Sequence, residues 1–177
     1  MRGIILCQLQ ELVLEKHGIA LWESALEETG LDGIYTSGMH YGDSEADILV
    51  GAISSQLGVC PHQLLQTFGD YLGNSFRDTY QHYYQRCENL FNFLESVDSV
   101  IHVEVRKLHP DAQPPRFVCS RASASELVIY YHSHRKMCAL AVGMVDDAAA
   151  YYGQKCQVSH VECMLHGASS CELRVTI

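Results

Sequence analysis

The spacing of apolar residues changes once along the chain, and this change constrains the fold more than any other feature. Before Pro114 and Pro115, apolar side chains recur three and four residues apart, which is typical of amphipathic helices. After these prolines, short segments rich in β-branched and aromatic residues predominate, and one long segment, 136–152, has helical spacing. Because helices and strands are segregated along the chain, the sequence predicts an α+β fold.

Turn and capping residues divide the two halves into elements. Gly18, Gly30 and Gly58 follow periodic apolar segments and predict helix ends, and Pro61 predicts a helix start. We therefore expect one domain over 1–177, with a helical N-terminal lobe of about residues 1–60 and a C-terminal lobe of about residues 61–177. The C-terminal lobe is predicted to contain a four-stranded antiparallel sheet, with strands at 116–120, 126–133, 155–161 and 171–177.

Charge and hydropathy make several classes of partner poor candidates. Twelve Lys and Arg residues oppose 21 Asp and Glu residues, which leaves a net charge of −9, so neither nucleic acid nor an anionic membrane is an expected partner. No apolar segment approaches the roughly 20 residues of a membrane helix. Gln8, Gln10 and Glu11 interrupt the first apolar segment before a secretory signal could form. We expect a cytoplasmic protein without membrane insertion.

Three residues at alternate positions, Tyr131, Ser133 and Arg135, close a predicted strand. Because successive side chains of a strand point to opposite faces, these three are expected to share a face. Two hydroxyl groups and a guanidinium can all donate hydrogen bonds to one anion, and Arg can bind a carboxylate through two parallel bonds. The pattern indicates either a carboxylate-binding site or an ordinary polar outer face of an antiparallel strand.

His102 lies beside an apolar stripe with helical spacing that includes Leu94, Val97, Ile101 and Val105. Its imidazole is therefore expected to point toward an apolar interior. Such a histidine is either a hydrogen-bonded core residue or an axial ligand of haem iron, for which one imidazole in an apolar pocket is sufficient. Haem also carries two propionates that need cationic or hydroxyl partners, so His102 and the polar triplet together favour a haem site.

With these features, the sequence resembles the haem nitric oxide/oxygen binding (H-NOX) family, which includes the haem domain of soluble guanylate cyclase. The matching elements, in chain order, are Met1-x-Gly3-x-Ile5, His102, Pro114-Pro115-Arg116 and Tyr131-x-Ser133-x-Arg135. The resemblance implies that haem b lies between the two lobes, with His102 as its proximal ligand. It further implies that Tyr131, Ser133 and Arg135 bind the propionates and that Pro115 presses on the porphyrin and distorts it.

The same resemblance places six residues in the distal pocket, and all six are apolar: Ile5, Leu9, Leu72, Phe76, Leu140 and Met144. Iron-bound O2 carries superoxide-like charge and is held best by a hydrogen-bond donor, whereas NO needs little such help. Oxygen-binding relatives place a Tyr where this chain has Leu140. The resemblance therefore implies a ferrous haem that binds NO and CO and discriminates against O2.

The expected function is gas sensing rather than catalysis, since no nucleophile elbow, phosphate loop or paired carboxylates are found. The resemblance implies that NO releases His102 from the iron and that the signal passes to a separate effector protein. In relatives of this stand-alone type the effector is a histidine kinase or a cyclic-di-GMP enzyme, and the sequence does not distinguish between them.

Cys138, His160, Cys163 and Cys171 form a further candidate site. Three thiolates and one imidazole make a closed tetrahedral set that is typical of structural zinc, so one zinc ion is a possible second cofactor. Cys163 and Cys171 could instead form a disulfide or be unrelated buried thiols. The alternative for the whole chain is a haem-free small-molecule-binding or zinc/thiol redox-sensing module of the 4-vinyl-reductase type, which leaves His102 and the polar triplet unexplained.

Overall fold

The computed structural model describes residues 1–177 and begins with four long helices. These are α1 (Gly3–His17), α2 (Ile19–Thr29), α3 (Asp43–Leu57) and α4 (Pro61–Thr79). Gly30 and Gly58 end α2 and α3 in the left-handed conformation, with φ of 69° and 67°, which glycine adopts without steric cost. Pro61 is the first residue of α4, as the sequence predicts.

Shorter helices connect the first lobe to the sheet. They are α5 (Gln81–Gln85), α6 (Leu90–Ser96) and α7 (His102–Leu108), and a π-helical turn (Val97–Ile101) separates α6 from α7. The sheet contains β1 (Arg116–Arg121), β2 (Glu126–His132), β3 (Gln157–Glu162) and β4 (Cys171–Thr176), with α8 (Cys138–Tyr151) between β2 and β3.

All strand pairs of the sheet are antiparallel, and the strand order is β1-β2-β4-β3. Tyr131 of β2 pairs with Phe117 of β1 on one side and with Cys171 of β4 on the other. Leu127, Ile129 and Tyr131 are buried on the face that α8 and α6 cover, which follows from the period of two. The predicted α+β class with a four-stranded antiparallel sheet is therefore confirmed.

The core consists of two apolar clusters. One is built from the first four helices and includes Leu6, Leu49 and Phe68, while the other joins α6, the sheet and α8 and includes Phe91 and Ile129. Helix α4 contributes to the first cluster although it begins at residue 61, and its other face packs on α8. The lobe boundary near residue 60 stays a prediction.

No single helix combines the length and hydropathy that a membrane span requires. Helices α3 and α4 satisfy that test only when they are joined across their bend of 109°.

Glycines allow α4 and α8 to pack with their backbones in contact. A Cβ atom on Gly69 would lie 2.1 Å from the carbonyl oxygen of Leu140, and one on Gly143 would lie 2.0 Å from that of Gln66. At Gly73 the added atom would lie 2.9 Å from the Cβ of Asp147. Asp147 in turn accepts a hydrogen bond from Arg77 at 2.8 Å, so a buried ion pair also joins the two helices.

We expect Gly143→Ala to reduce the free energy of unfolding by about 1–3 kcal/mol, because the methyl group forces the two backbones apart. Gly51→Ala in α3 is the matched control, since nothing lies within 4 Å of the added atom. That change should raise the free energy of unfolding by about 0.5–1 kcal/mol through helix propensity. Urea unfolding followed by circular dichroism measures both values, and equal effects of the two changes would contradict the close contact.

Candidate functional site

His102 is the first residue of α7 and directly follows the π-helical turn. Its side chain is 14% exposed, and its Nδ1 atom lies 3.4 Å from Oδ1 of Asp98. Burial lowers the pKa of His102, although the neighbouring Asp98 carboxylate acts in the opposite direction. The ring is therefore neutral at physiological pH, which is the form that binds metals.

Phe117 lies beside the imidazole and links it to Tyr131. The backbone of Pro115 also acts on the ring and favours its charged form, which raises the pKa of His102. The centroid of the imidazole is 5.7 Å from that of Phe117, which is 5.5 Å from that of Tyr131. The structure thus brings His102, Pro115 and Tyr131 together, although they are separated by up to 29 positions in the sequence. Their roles toward haem stay predictions.

Tyr131, Ser133 and Arg135 also lie together, but the strand period is not the only reason. Strand β2 ends at His132, so Ser133 and Arg135 belong to the following turn, in which Lys136 has a φ of 51°. Ser133 is buried, and its Oγ accepts a hydrogen bond from the backbone N–H of Arg135 at 3.2 Å. Burial raises the pKa of Tyr131 to about 12, which keeps its hydroxyl protonated and able to donate.

Arg135 joins this turn to the N-terminal lobe through Asp43, the first residue of α3. Its Nε donates to Oδ1 of Asp43 at 2.7 Å, and its Nη1 donates to the carbonyl of Gln113 at 2.7 Å. The amino group of Met1 and the ring of His134 also bind Asp43, at 2.6 Å and 2.7 Å. Burial alone would raise the pKa of Asp43, but these three donors hold it well below its usual range.

The six residues assigned to the distal pocket share one apolar cluster. Leu9 and Leu72 are buried in it, while the other four are partly buried and pack against it: Ile5, Phe76, Leu140 and Met144. Leu140 and Met144 belong to α8, so the contact of α8 with α4 carries them to the N-terminal cluster. None of the six side chains can donate a hydrogen bond. Their role in lining a ligand pocket stays a prediction.

The thiols of Cys138, Cys163 and Cys171 converge with His160 between the start of α8 and the β3–β4 connection. One ligand atom from each residue lies within 4.8 Å of all the others. Sγ of Cys163 is 3.7 Å from Sγ of Cys138 and 3.7 Å from Sγ of Cys171. All eight cysteines are free in the structure, and no disulfide joins Cys163 to Cys171.

These sulfur distances match a zinc tetrahedron. Zn–S bonds of about 2.3 Å require tetrahedral S···S separations of roughly 3.8 Å. Cys171 also accepts a hydrogen bond from the backbone N–H of Met164 at 3.2 Å. Burial and the neighbouring thiols raise the pKa of Cys138 above its usual range. Three thiolates this close together would repel one another, so a cation such as zinc must lie beside them if all three thiols are to ionise.

Comparison with known proteins connects the site to a family. The model of the haem-NO-binding (HNOB) family matches residues 2–160. The chain belongs to the H-NOX family. It is similar to an H-NOX protein from Shewanella oneidensis solved in the Fe(II)NO state, with 28% identity, a TM-score of 0.92 and coverage of 99% of this chain and 98% of that one.

Two further H-NOX structures agree with this assignment. An H-NOX domain from S. oneidensis in the Fe(II)CO state has 28% identity and a TM-score of 0.88, and the match covers 100% of this chain and 98% of that one. An unliganded Fe(II) H-NOX protein from K. algicida has 26% identity and a TM-score of 0.92, with coverage of 99% and 96%. The family match favours haem-based sensing over the 4-vinyl-reductase-type alternative.

The residues of this H-NOX chain fit a haem group. One largely desolvated imidazole is available as an axial ligand, and Tyr131 is buried on the face of the sheet where Phe117 contacts His102. Arg135 uses Nε and Nη1 for Asp43 and Gln113, which leaves N–H donors of its guanidinium for a further carboxylate. Haem bound here would supply the iron that binds a diatomic gas.

Sequence reasoning missed two acidic residues of the H-NOX site. Asp43 is 92 positions from Arg135, and Asp98 is one helical turn from His102. The only sequence signal for Asp43 is that Asp is common at helix starts, where its carboxylate suits a capping role equally well. Asp98 had a clearer signal, because its spacing of four residues from His102 places both on one side of a helix.

Proposed function

We propose that this H-NOX chain is a sensor that binds NO and CO at ferrous haem b, discriminates against O2 and is not an enzyme. In this proposal His102 is the proximal ligand, and Tyr131, Ser133 and Arg135 bind the propionates. Pro115 presses on the porphyrin. The observation that carries the proposal is a largely desolvated imidazole, 14% exposed, in a chain whose six distal positions are all apolar.

Selectivity follows from what the distal residues lack. Bound O2 draws electron density from the iron and needs a hydrogen-bond donor to hold it, while bound NO and CO need far less help. Ile5, Leu9, Leu72, Phe76, Leu140 and Met144 offer no donor. Related H-NOX proteins have been solved with NO and with CO, which supports these two gases as ligands.

Signalling in this proposal depends on release of His102. Binding of NO to haem held here would release His102 and leave α7 free to move, so the gas would bias one of two conformations. The output passes to a separate protein, a histidine kinase or a cyclic-di-GMP enzyme, as the resemblance implies. Zinc at Cys138, His160, Cys163 and Cys171 completes the proposed set of cofactors, and oxidation of these thiols would release it.

The first test compares the parent protein with His102→Gly. We expect the reduced parent to show a five-coordinate ferrous spectrum that is unchanged by air and shifts with CO and with NO. His102→Gly should recover the ferrous spectrum only with added imidazole. Free imidazole can replace the histidine side chain as a ligand, but it is not covalently attached to α7. Hydrogen exchange over residues 102–108 should then increase with NO in the parent alone. A colourless parent, or an NO response that survives in the imidazole-loaded variant, would refute the proposal.

The second test adds a donor on the distal side. We expect Leu140→Tyr to increase the affinity for O2 at least tenfold, because a hydrogen bond to a charged acceptor contributes about 1.5–3 kcal/mol. Leu140→Phe is the matched control, since it adds the same ring without the hydroxyl and should leave O2 affinity near that of the parent. Anaerobic titration with O2 measures both variants. Equal O2 affinities for the Tyr and Phe variants would exclude residue 140 from the ligand pocket.

The third test concerns zinc. Protein purified without oxygen should contain one equivalent of zinc, and Cys163→Ser should lose most of it because the set drops to three strong ligands. Cys60→Ser is the control, since Cys60 is exposed and lies outside the cluster. Metal analysis by mass spectrometry measures the content. A parent with well under one equivalent, or equal zinc in the two variants, would count against the site.

A further inference from the structure

Asp98 is the one carboxylate that faces His102. Its Oδ1 lies 3.4 Å from Nδ1 of His102, and the two side chains are 24% and 14% exposed. Asp98 makes no salt bridge with a Lys or Arg side chain, so His102 is its only ionic partner. A carboxylate in a partly desolvated position, without a competing cation, is a strong hydrogen-bond acceptor for an imidazole N–H.

The other two acidic residues near His102 are engaged elsewhere. Glu95 on α6 accepts two hydrogen bonds from Arg121, at 2.7 Å and 2.8 Å. Glu104 on α7 accepts a hydrogen bond from the hydroxyl of Tyr83. Arg106, on the same helix, is the cationic group that acts on His102 from a longer range. Of the three carboxylates between α6 and α7, only that of Asp98 contacts the imidazole of His102.

The π-helical turn holds both residues in place. The backbone N–H of His102 donates to the carbonyl of Val97, five residues earlier, rather than to the usual partner four residues earlier. Asp98 lies within this turn and His102 lies directly after it. The wider turn therefore fixes the backbone on either side of the Asp98–His102 contact.

We propose that Asp98 is the positioning residue of the proximal ligand, an inference that rests on the proposed haem function. Its carboxylate accepts the Nδ1–H of His102, which fixes the tautomer and leaves Nε2 as the ligand atom. The hydrogen bond also makes the imidazole a stronger electron donor. Asp98 thereby strengthens the bond from Nε2 to iron and opposes release of His102 by NO. The residue sets how readily this sensor responds.

The test measures the iron–histidine bond directly in the haem-loaded ferrous protein. We expect Asp98→Asn to lower the Fe–His stretching frequency in the resonance Raman spectrum, because an amide is a weaker acceptor than a carboxylate. The equilibrium constant for His102 dissociation in the NO complex should rise about tenfold, in line with the effect of losing a carboxylate behind a ligating histidine. The ratio of six- to five-coordinate NO spectra measures that constant.

Glu104→Gln is the matched control, because it removes the same charge two residues from His102 without touching the ring. It should leave the stretching frequency unchanged, and Asp98→Glu should restore a value near that of the parent by returning a carboxylate. A frequency in Asp98→Asn equal to that of the parent, or an equal shift in Glu104→Gln, would overturn the role of Asp98. If the Asn variant does not fold, Asp98→Ser takes its place, and a frequency in Asp98→Ser equal to that of the parent would overturn the role of Asp98.

Failure of the proposed function has a different signature. A parent that binds haem without any Fe–His stretch would remove His102 as the ligand, whatever Asp98 does. A parent with a normal stretch that Asp98→Asn does not alter would retain the sensor function and refute only the inference about Asp98.

Discussion

Helices α4 and α8 pack with their backbones in direct contact at Gly69 and Gly143. This contact determines where the side chains of α8 lie relative to the N-terminal cluster. With side chains larger than hydrogen at Gly69 and Gly143, the carbonyl oxygens of the partner helix would lie about 2 Å from a Cβ atom. Since close-packed interiors do not absorb such overlaps, larger residues would separate the helices. Leu140 and Met144 would then leave the N-terminal cluster that they share with Leu9 and Leu72. The apolar cluster of the proposed distal side therefore depends on two glycines.

A second connection between the lobes is ionic. The carboxylate of Asp43 binds the amino group of Met1 and the side chains of His134 and Arg135. The start of the chain, the start of α3 and the turn after β2 therefore meet at this carboxylate. The same guanidinium is the proposed partner of a haem propionate. Because a guanidinium has five N–H donors, Arg135 can hold Asp43 and a second carboxylate together. In the proposed site, Arg135 would then contribute both to binding of the cofactor and to contact between the lobes.

The sequence predicted local features well, because local physics determines them. Gly30, Gly58 and Pro61 mark helix ends through their own backbone preferences, and the period of two explains why Tyr131 shares a face of β2 with Leu127 and Ile129. Arg135 was less predictable, since it reaches its neighbours from a turn beyond the strand. Its contact with Asp43 spans 92 residues, and no periodicity of a single segment carries such information.

The thiol cluster was predicted only in part, because its ligands come from both local and distant positions in the sequence. The spacing of His160, Cys163 and Cys171 resembled that of a metal site, yet only the fold brings Cys138 at the start of α8 to within 3.7 Å of Cys163. The same sequence pattern was compatible with a disulfide, and the sulfur separations of 3.7 Å favour a shared metal ion. A ligand set assembled from a helix start and a strand connection needs the tertiary structure before its geometry can be judged.

The two sides of the proposed haem site differ in how firmly they are held, and this difference favours signalling through His102. Four residues of α6 are fully buried, whereas every residue of the π-helical turn and of α7 is at least partly exposed. Segments with little buried apolar surface open and shift at lower free-energy cost than the core. The distal residues, in contrast, belong to a packed cluster that includes Leu9 and Leu72. In the proposed mechanism, release of His102 would free a segment without a fully buried residue, while the cluster of the proposed distal residues would stay packed. Asp98 restrains that release from within the same segment, so sensitivity can change without repacking either core.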